Sequence, residues 1–163
     1  MRATFIALGA AFAAVGLHAA TAQDEAPDRS NDLVWHSAQQ AYLGSLEAVD
    51  GWHWMEGGLR WRLLEGDRSG AHPTIADEVT VHYEGRFIDG AVFDSSYDRG
   101  QPATFPLGRL IPGWQVAIPQ MGVGDTIEIA VPADLGYGPV GKGPIPGGAT
   151  LLFKVELIGI EGQ

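Results

Sequence analysis

The stretch that decides the fold is residues 81–96, which read VHYEGRFIDGAVFDSS. It continues an alternation of apolar and polar residues that runs over residues 79–84. A period of two places the apolar side chains on one face of a β-strand and the polar ones on the other. Gly90 marks a turn after this strand, and the pair Phe93-Asp94 follows the turn.

Three further segments alternate in the same way, with glycine and proline between them. They are residues 59–63, 126–131 and 151–157. Strands of this kind predict an antiparallel sheet with one face on a single core and the other facing water. One helix is predicted inside this region, over residues 113–118, because Pro119 cannot continue it. We therefore expect an α+β domain over residues 57–160.

The composition excludes several classes of function. The chain has 163 residues and a net charge of −10, which argues against a nucleic-acid partner because phosphate binding needs a basic surface. The absence of cysteine removes disulfides, thiolate metal sites and cysteine nucleophiles. The 23 glycines and 10 prolines are not periodic, which excludes collagen and indicates many turns.

Residues 1–22, MRATFIALGAAFAAVGLHAATA, have the three parts of a secretory signal peptide. Arg2 precedes an apolar run over residues 5–17, and small residues lead to Ala22, after which cleavage is expected. The run is shorter than the roughly 20 residues that a membrane helix needs, so no membrane span is expected after cleavage. A retained anchor is the alternative. The sequence predicts a periplasmic or secreted protein.

Residues 23–56 are predicted to be an acidic lead-in followed by a helix. Apolar residues recur every three or four positions over residues 31–49, which predicts a helix that starts at Asn31 and stops at Asp50-Gly51. Its apolar side consists of Val34, Ala38, Ala41, Tyr42, Leu46 and Val49. The helix either docks on the main domain or helps a second chain to dock, and its short length favours a monomer.

Conventional catalytic residues are scarce. The histidines show no metal-ligand spacing, and the serines lack a nucleophile-elbow sequence. Asp94 and Asp98 are candidates for an acid–base pair, but no hydrolase pattern surrounds them. Residues 136–143 are not a phosphate-binding loop, because Lys142 precedes Gly143 instead of the Ser or Thr that would bind magnesium. We expect neither a metal nor a cofactor.

Seven aromatic residues border the predicted turns. Aromatic side chains in such places either pack the core or form the floor of a pocket for a small ligand or a peptide. Composition alone favours core packing, whereas the order of the motifs described next favours a pocket. The residues are Tyr83, Phe87, Phe93, Phe105, Trp114, Tyr137 and Phe153.

Residues 81–96 closely resemble the opening signature of the FKBP family, the macrolide-binding peptidyl-prolyl cis-trans isomerases. Four more motifs follow in the family's order and with similar spacing. They are Phe105-Pro106-Leu107-Gly108 with Leu110-Ile111-Pro112-Gly113-Trp114, then Met121-Gly122-Val123-Gly124-Asp125, Pro132-Ala133-Asp134-Leu135-Gly136-Tyr137-Gly138 and residues 145–157. Each motif is weak by itself, but five in the right order make the resemblance specific.

The resemblance implies a twisted antiparallel β-sheet of about five strands wrapped around one short helix, which agrees with the alternation above. It also implies an isomerase that acts on proline-containing polypeptides, assists the folding of exported proteins and binds macrolide inhibitors. The family's catalytic positions match Asp94, Tyr137 and Tyr83. Its substrate-binding positions match Phe93, Phe105, Leu110, Ile111, Trp114, Ile145 and Phe153, with the tryptophan as the pocket floor. A non-catalytic module that binds proline-containing segments on the same fold is the alternative.

Three positions depart from the family's pattern. Ala103 stands where many eukaryotic relatives have an aromatic pocket residue, and the loop over residues 108–110 is shorter than in those relatives. The loop over residues 138–144 lacks the larger side chains often found at its tip. These departures bear on substrate preference and macrolide affinity more than on the activity.

Overall fold

Strand β3 (Glu78–Arg86) organises the sheet in the computed structural model, which describes residues 25–162. On one side β3 pairs with β9 (Leu151–Ile160), and on the other it pairs with two short strands, β4 (Val92–Ser95) and β5 (Ala103–Pro106). β3 is therefore held on both sides. The predicted signal peptide lies outside the described residues.

The sheet continues from β9 through β6 (Thr126–Val131) and β2 (Arg60–Glu65) to a two-residue edge strand, β1 (His53–Trp54). Every neighbouring pair is antiparallel. Because β4 and β5 pair with different parts of the same edge of β3, the sheet has the five expected strand positions plus the short β1. Two more strands, β7 (Gly141–Lys142) and β8 (Ile145–Pro146), form a separate hairpin.

Helix α2 (Pro112–Ala117) packs against one face of the sheet. Pro112 lies in the first turn, where its fixed φ suits the helix and its missing N–H has no intrahelical partner to lose. The helix passes into a 3₁₀ turn, Ile118–Gln120, which contains Pro119. The helix predicted over residues 113–118 is thus confirmed to within one residue at each end.

The alternation predicted for β3 is confirmed, since Val79, Val81 and Tyr83 are at most 1% exposed and lie in the main core. The prediction that the other face of the sheet meets water is wrong for β6, in which all six residues are buried. The carboxylate of Glu128 on that face is paired with the guanidinium groups of both Arg62 and Arg86. A charge at such a site is tolerated because it is paired.

The second face is buried because the N-terminal segment covers it. Leu43 and Trp52 from that segment pack on Ala130 of β6 and Leu152 of β9, and these four residues form a second, smaller core. The two cores lie on opposite faces of the same strands. Because β6 is covered on both faces, the alternation of apolar and polar residues along it does not correspond to buried and exposed side chains.

Helix α1 (Leu33–Gly44) is shorter than the helix predicted over residues 31–49. Its N-cap is Asp32 and not Asn31, because the Asp32 Oδ1 accepts a hydrogen bond from the backbone N–H of Trp35 at 2.9 Å. The chain leaves the helix at Gly44 and forms a separate 3₁₀ turn at Ala48–Asp50.

The apolar side predicted for this helix is only partly right: Tyr42 and Leu46 pack against the second core, and the other four residues are exposed. Val34 and Val49 are 81% and 84% exposed, whereas α1 buries Gln39 and Leu43. The side chain of Gln39 binds the backbone N–H of Thr150, so this face meets main-chain polar groups as well as apolar side chains. A count of apolar spacing does not detect a contact of that kind.

The domain boundary at residue 57 stays a prediction. β1 and Trp52, which precede that residue, already belong to the sheet and to the second core. None of the helices among residues 25–162 is long and apolar enough to cross a membrane.

The second core should contribute strongly to stability. Replacing the buried Trp52 by alanine should lower the free energy of unfolding by about 3 to 5 kcal/mol, since it removes a large ring from a packed site. Trp54 is a matched control because it is 69% exposed and stacks on the Arg60 guanidinium, so its alanine variant should lose about 1 kcal/mol or less. Urea unfolding of both variants measures the difference, and equal losses would contradict the second core.

Candidate functional site

The indole of Trp114 in α2 lies at the centre of an aromatic cluster. Tyr83 and Phe153 each meet it edge-on, with ring centroids 5.3 Å away and interplanar angles of 81° and 86°. Phe105 lies 6.4 Å away at 76°. Edge-to-face contacts of this kind are favourable and fix the orientation of the rings. Trp114 is thus held by strands β3, β5 and β9.

A glycine sets how closely the start of α2 approaches the sheet. A Cβ atom on Gly113 would lie 2.6 Å from the Val131 Cγ1 on β6, which is too close for carbon atoms. The absence of a side chain lets the helix pack tightly, and the next residue, Trp114, is therefore carried close to the sheet. This close contact explains why glycine precedes Trp114 in the sequence Pro112-Gly113-Trp114.

Phe93 on β4 forms the side of the cluster. Its ring is perpendicular to that of Phe153 at 5.7 Å, and Phe87 packs behind it at 4.9 Å. A Cβ on Gly85 of β3 would lie 2.6 Å from the Phe93 ring and 2.9 Å from that of Phe153. The bare backbone at Gly85 makes room for both rings.

The structure brings the sequence-predicted apolar residues into one hydrophobic cluster. Its buried members among them are Tyr83, Leu110, Ile111, Trp114, Ile145 and Phe153. Phe93, Phe105 and Tyr137 pack against these and remain partly exposed. The buried side chains form a floor, and the three partly exposed rings form a rim around it. The same residues therefore pack the core and offer a surface to a ligand.

Asp94 lies beside the cluster and is held by two groups. Its Oδ2 accepts a hydrogen bond from the Tyr83 hydroxyl at 2.6 Å, and its Oδ1 accepts one from the Arg99 guanidinium. Arg99 also donates to the Tyr83 hydroxyl oxygen at 2.8 Å. The three side chains thus form a closed polar triangle, which fixes the direction of the carboxylate.

Arg99 was missed by sequence reasoning. It belongs to none of the five motifs, and its one local signal is its position five residues after Asp94 in a polar turn. Burial, followed by the hydrogen bond to Asp94, raises the pKa of Tyr83 above its usual range. The Tyr83 phenol therefore remains a donor at every physiological pH.

The hydroxyl of Tyr137 differs from that of Tyr83 because it has no hydrogen-bond partner among the described residues. Burial and, to a smaller extent, the charge of Asp94 raise the pKa of Tyr137 to about 12. Tyr137 is thus a protonated donor with no protein acceptor among residues 25–162, and its hydroxyl feels the charge of Asp94. The Nε1–H of Trp114 also has no partner within residues 25–162, and it is buried.

His82 does not belong to the aromatic cluster. His82 lies on the opposite side of β3 from the cluster, where its Nδ1 is 2.8 Å from the Ser96 Oγ and its ring stacks on Tyr97. Within residues 25–162 there is no group of three or more His, Asp or Glu side chains placed to hold a metal ion. The chemistry available at the aromatic cluster is apolar contact, hydrogen-bond donation and one oriented carboxylate.

Comparisons with known proteins agree with this arrangement. The family model of the FKBP-type peptidyl-prolyl cis-trans isomerases matches residues 70–158. The chain is 47% identical over 123 residues to peptidyl-prolyl cis-trans isomerase Mip of Coxiella burnetii, covering 75% of the chain and 53% of that protein. It is 44% identical over 123 residues to outer membrane protein MIP of Legionella longbeachae, covering 74% of the chain and 52% of that protein.

The fold matches as well. The crystal structure of FkpA from Escherichia coli superposes with a TM-score of 0.74 and 35% identity, covering 79% of this chain and 61% of that one. The chain belongs to the FKBP-type peptidyl-prolyl cis-trans isomerase family. The resemblance seen in the sequence and the expected fold class are thereby confirmed. The chain spans about half the length of the curated relatives it matches.

Tyr137 should make stability depend on pH above 10. The phenol has a pKa of 10.0 when unperturbed and about 12 in the fold. Below pH 10 both states keep the proton, whereas between pH 10 and 12 the unfolded state releases it first. The free energy of unfolding should therefore fall as pH rises, by at most about 1.4 kcal/mol per pH unit for this group.

Replacing Tyr137 by phenylalanine should remove that share of the slope, as measured by urea unfolding from pH 9 to 11.5. Phe93→Leu is the control, since it disturbs the same cluster without removing a titrating group and should keep the slope of the parent protein. Equal slopes for Tyr137→Phe and the parent would contradict the raised pKa of Tyr137.

Proposed function

We propose that this protein catalyses cis-trans isomerisation of X–Pro peptide bonds and so assists the folding of other polypeptides. The observation that carries the proposal is that the Trp114 cluster is bordered both by Asp94, whose carboxylate is oriented by Tyr83 and Arg99, and by Tyr137, whose ring packs against the cluster. Family membership supports it, because the family is named for this reaction. Proline-containing polypeptides are the proposed substrates.

The reaction explains why the site lacks a nucleophile. Rotation about a peptide bond has a barrier of roughly 18 to 20 kcal/mol, because resonance stabilises the planar form. No covalent bond forms or breaks during rotation, so the protein needs only to bind the twisted amide more tightly than the planar forms. Each tenfold gain in rate requires about 1.4 kcal/mol of such selective binding.

The apolar cluster contributes to this selectivity in two ways. It removes water from the carbonyl oxygen, whose hydration favours the charge-separated planar form. It also binds the proline ring, with Trp114 as the floor and Phe93 and Phe153 beside it. Phe105, Leu110, Ile111 and Ile145 complete the proposed substrate-binding set.

The polar groups are assigned separate roles. The Tyr137 hydroxyl donates a hydrogen bond to the substrate backbone and holds the substrate in register. Asp94 orients the pocket or interacts with the twisted carbonyl, and it does not act as a base. Tyr83 holds Asp94 through its hydroxyl, and Arg99 supports both.

Removing the donor or the carboxylate should lower activity. Tyr137→Phe should reduce kcat/KM on a short proline peptide by about 3- to 10-fold, the worth of one neutral hydrogen bond. Asp94→Val should reduce kcat/KM further, because Tyr83 and Arg99 then lose their shared acceptor. A protease-coupled isomerisation assay measures both rates, and circular dichroism checks that each variant keeps its fold.

Tyr97→Phe is the matched control for these variants. Tyr97 is a partly exposed tyrosine that stacks on His82 and lies outside the cluster, so its variant should keep full activity. Full activity in both Tyr137→Phe and Asp94→Val would remove the assigned roles. If the parent protein binds the peptide without turnover, the chain is instead a proline-segment-binding module. Inhibition by a macrolide tests whether the proposed pocket binds such compounds.

We also propose that residues 1–22 are a signal peptide and that the mature protein is a periplasmic or secreted monomer. The three-part N-terminal sequence supports the signal peptide, and the name of the Legionella longbeachae relative supports export. The short length of helix α1 supports the monomer. Expressed with its leader in a Gram-negative host, the protein should start at Gln23 and sediment as a single 141-residue chain. An uncut chain in the membrane fraction would contradict cleavage of the signal peptide. A mass twice that of the 141-residue chain would contradict the monomer.

A further inference from the structure

The β7–β8 hairpin carries part of the candidate site but does not belong to the main sheet. Its two strands are joined by only two register pairs, Gly141 with Pro146 and Lys142 with Ile145. Ile145 itself belongs to the candidate site. Tyr137 precedes β7 by four residues, and its carbonyl accepts a hydrogen bond from the Gly141 N–H at 3.2 Å, so Tyr137 is tied to the position of the hairpin. That position must be fixed by contacts other than pairing with the main sheet.

Helix α1 supplies two of these contacts. The indole Nε1–H of Trp35 donates a hydrogen bond to the carbonyl of Gly147, at 3.2 Å, directly after β8. One turn further along the helix, the Oε1 of Gln39 accepts a hydrogen bond from the backbone N–H of Thr150, at 2.8 Å. Both contacts therefore hold the segment that connects the hairpin to β9.

The Gln39 contact is inaccessible to water, because Gln39 is 2% exposed and Thr150 is 1% exposed. A buried donor left without its acceptor is costly, so this bond strongly favours one placement of the connecting segment. Between the two bonds, a Cβ on Gly148 would lie 2.6 Å from the His36 ring. The helix and the connecting segment are thus in close contact at three successive points.

Two open clefts border the hairpin near this contact. One of about 330 Å³ lies between α1, residues 87–89 and the prolines Pro144 and Pro146. Another of about 480 Å³ lies between residues 25–30 and the hairpin. The hairpin is held by the burial of Ile145 in the main core and by a hydrogen bond from the Ala26 N–H to the Gly143 carbonyl at 2.8 Å. The two hydrogen bonds from α1 add to these contacts and act on the segment that follows β8.

We propose that Trp35 and Gln39 are positioning residues for the substrate site. They hold the hairpin so that Ile145 and Tyr137 present a fixed surface to the bound polypeptide. Trp35 also packs against the edge of the main hydrophobic core, whereas Gln39 acts through its hydrogen bond alone. The inference rests on the proposed function for its kinetic consequence. Its structural consequence, a hairpin ordered by α1, does not depend on turnover.

The test uses two variants that each remove one hydrogen bond. Trp35→Phe keeps an aromatic ring and loses the N–H donor, and Gln39→Leu keeps the approximate size and loses the acceptor. Each should raise KM for a proline peptide about five- to tenfold and leave kcat within about twofold, the result expected when binding is lost equally from ground and transition states. Val34→Ala, on the exposed side of the same helix, should behave as the parent protein.

Hydrogen exchange supplies the second measurement. Amides of residues 141–150 should exchange at least about tenfold faster in both variants, because the hairpin opens more often, while those of β6 stay unchanged. Unchanged exchange in the hairpin, or an unchanged KM, would overturn the proposal. Faster exchange in β6 as well would also overturn it, because the variants would then act by destabilising the whole fold.

The positioning roles of Trp35 and Gln39 can be tested even if the proposed function is wrong. If the parent protein shows no isomerisation, the proposed function fails, and calorimetric affinity for the same peptide replaces KM. Weaker peptide binding together with faster hairpin exchange in both variants still supports the positioning roles. Equal affinity in the parent and both variants rejects them.

Discussion

The double use of Tyr83 is the constraint on which the rest of the structure depends. Its ring fills the core against Trp114, and its hydroxyl binds Asp94 at the edge of that core. β3, which carries it, is paired with neighbours on both sides. The carboxylate is thus held beside a strand that is paired on both sides, and rigid support of this kind is what the proposed selective binding of a twisted amide requires.

Both faces of the sheet contribute to that rigidity. Helix α2 covers one face and brings Trp114 to the strands, while the N-terminal segment covers the other with Leu43 and Trp52. The central strands β6 and β9 are consequently packed from two sides. A domain of this size gains much from such packing, because small domains bury a modest share of their surface.

Sequence patterns predicted those elements whose structure depends on residues close together in the chain. The alternation on β3 and the helix ended by Pro119 depend on near neighbours, and both were found as expected. The buried outer face of β6 and the docking face of α1 depend on segments far away in the sequence, such as Gln39 meeting Thr150. Arg99 was missed although it lies only five residues after Asp94, since its role arises only where its side chain meets those of Asp94 and Tyr83.

Strand β9 has a consequence for how the chain acquires its structure. It follows every other strand in the sequence, yet it lies between β3 and β6 and joins residues as distant as Val79 and Ile160. Contacts of such long range form slowly, because a large loop must close before they contribute. During synthesis the sheet therefore lacks its middle, and the site lacks Phe153, until residues 151–160 have emerged from the ribosome.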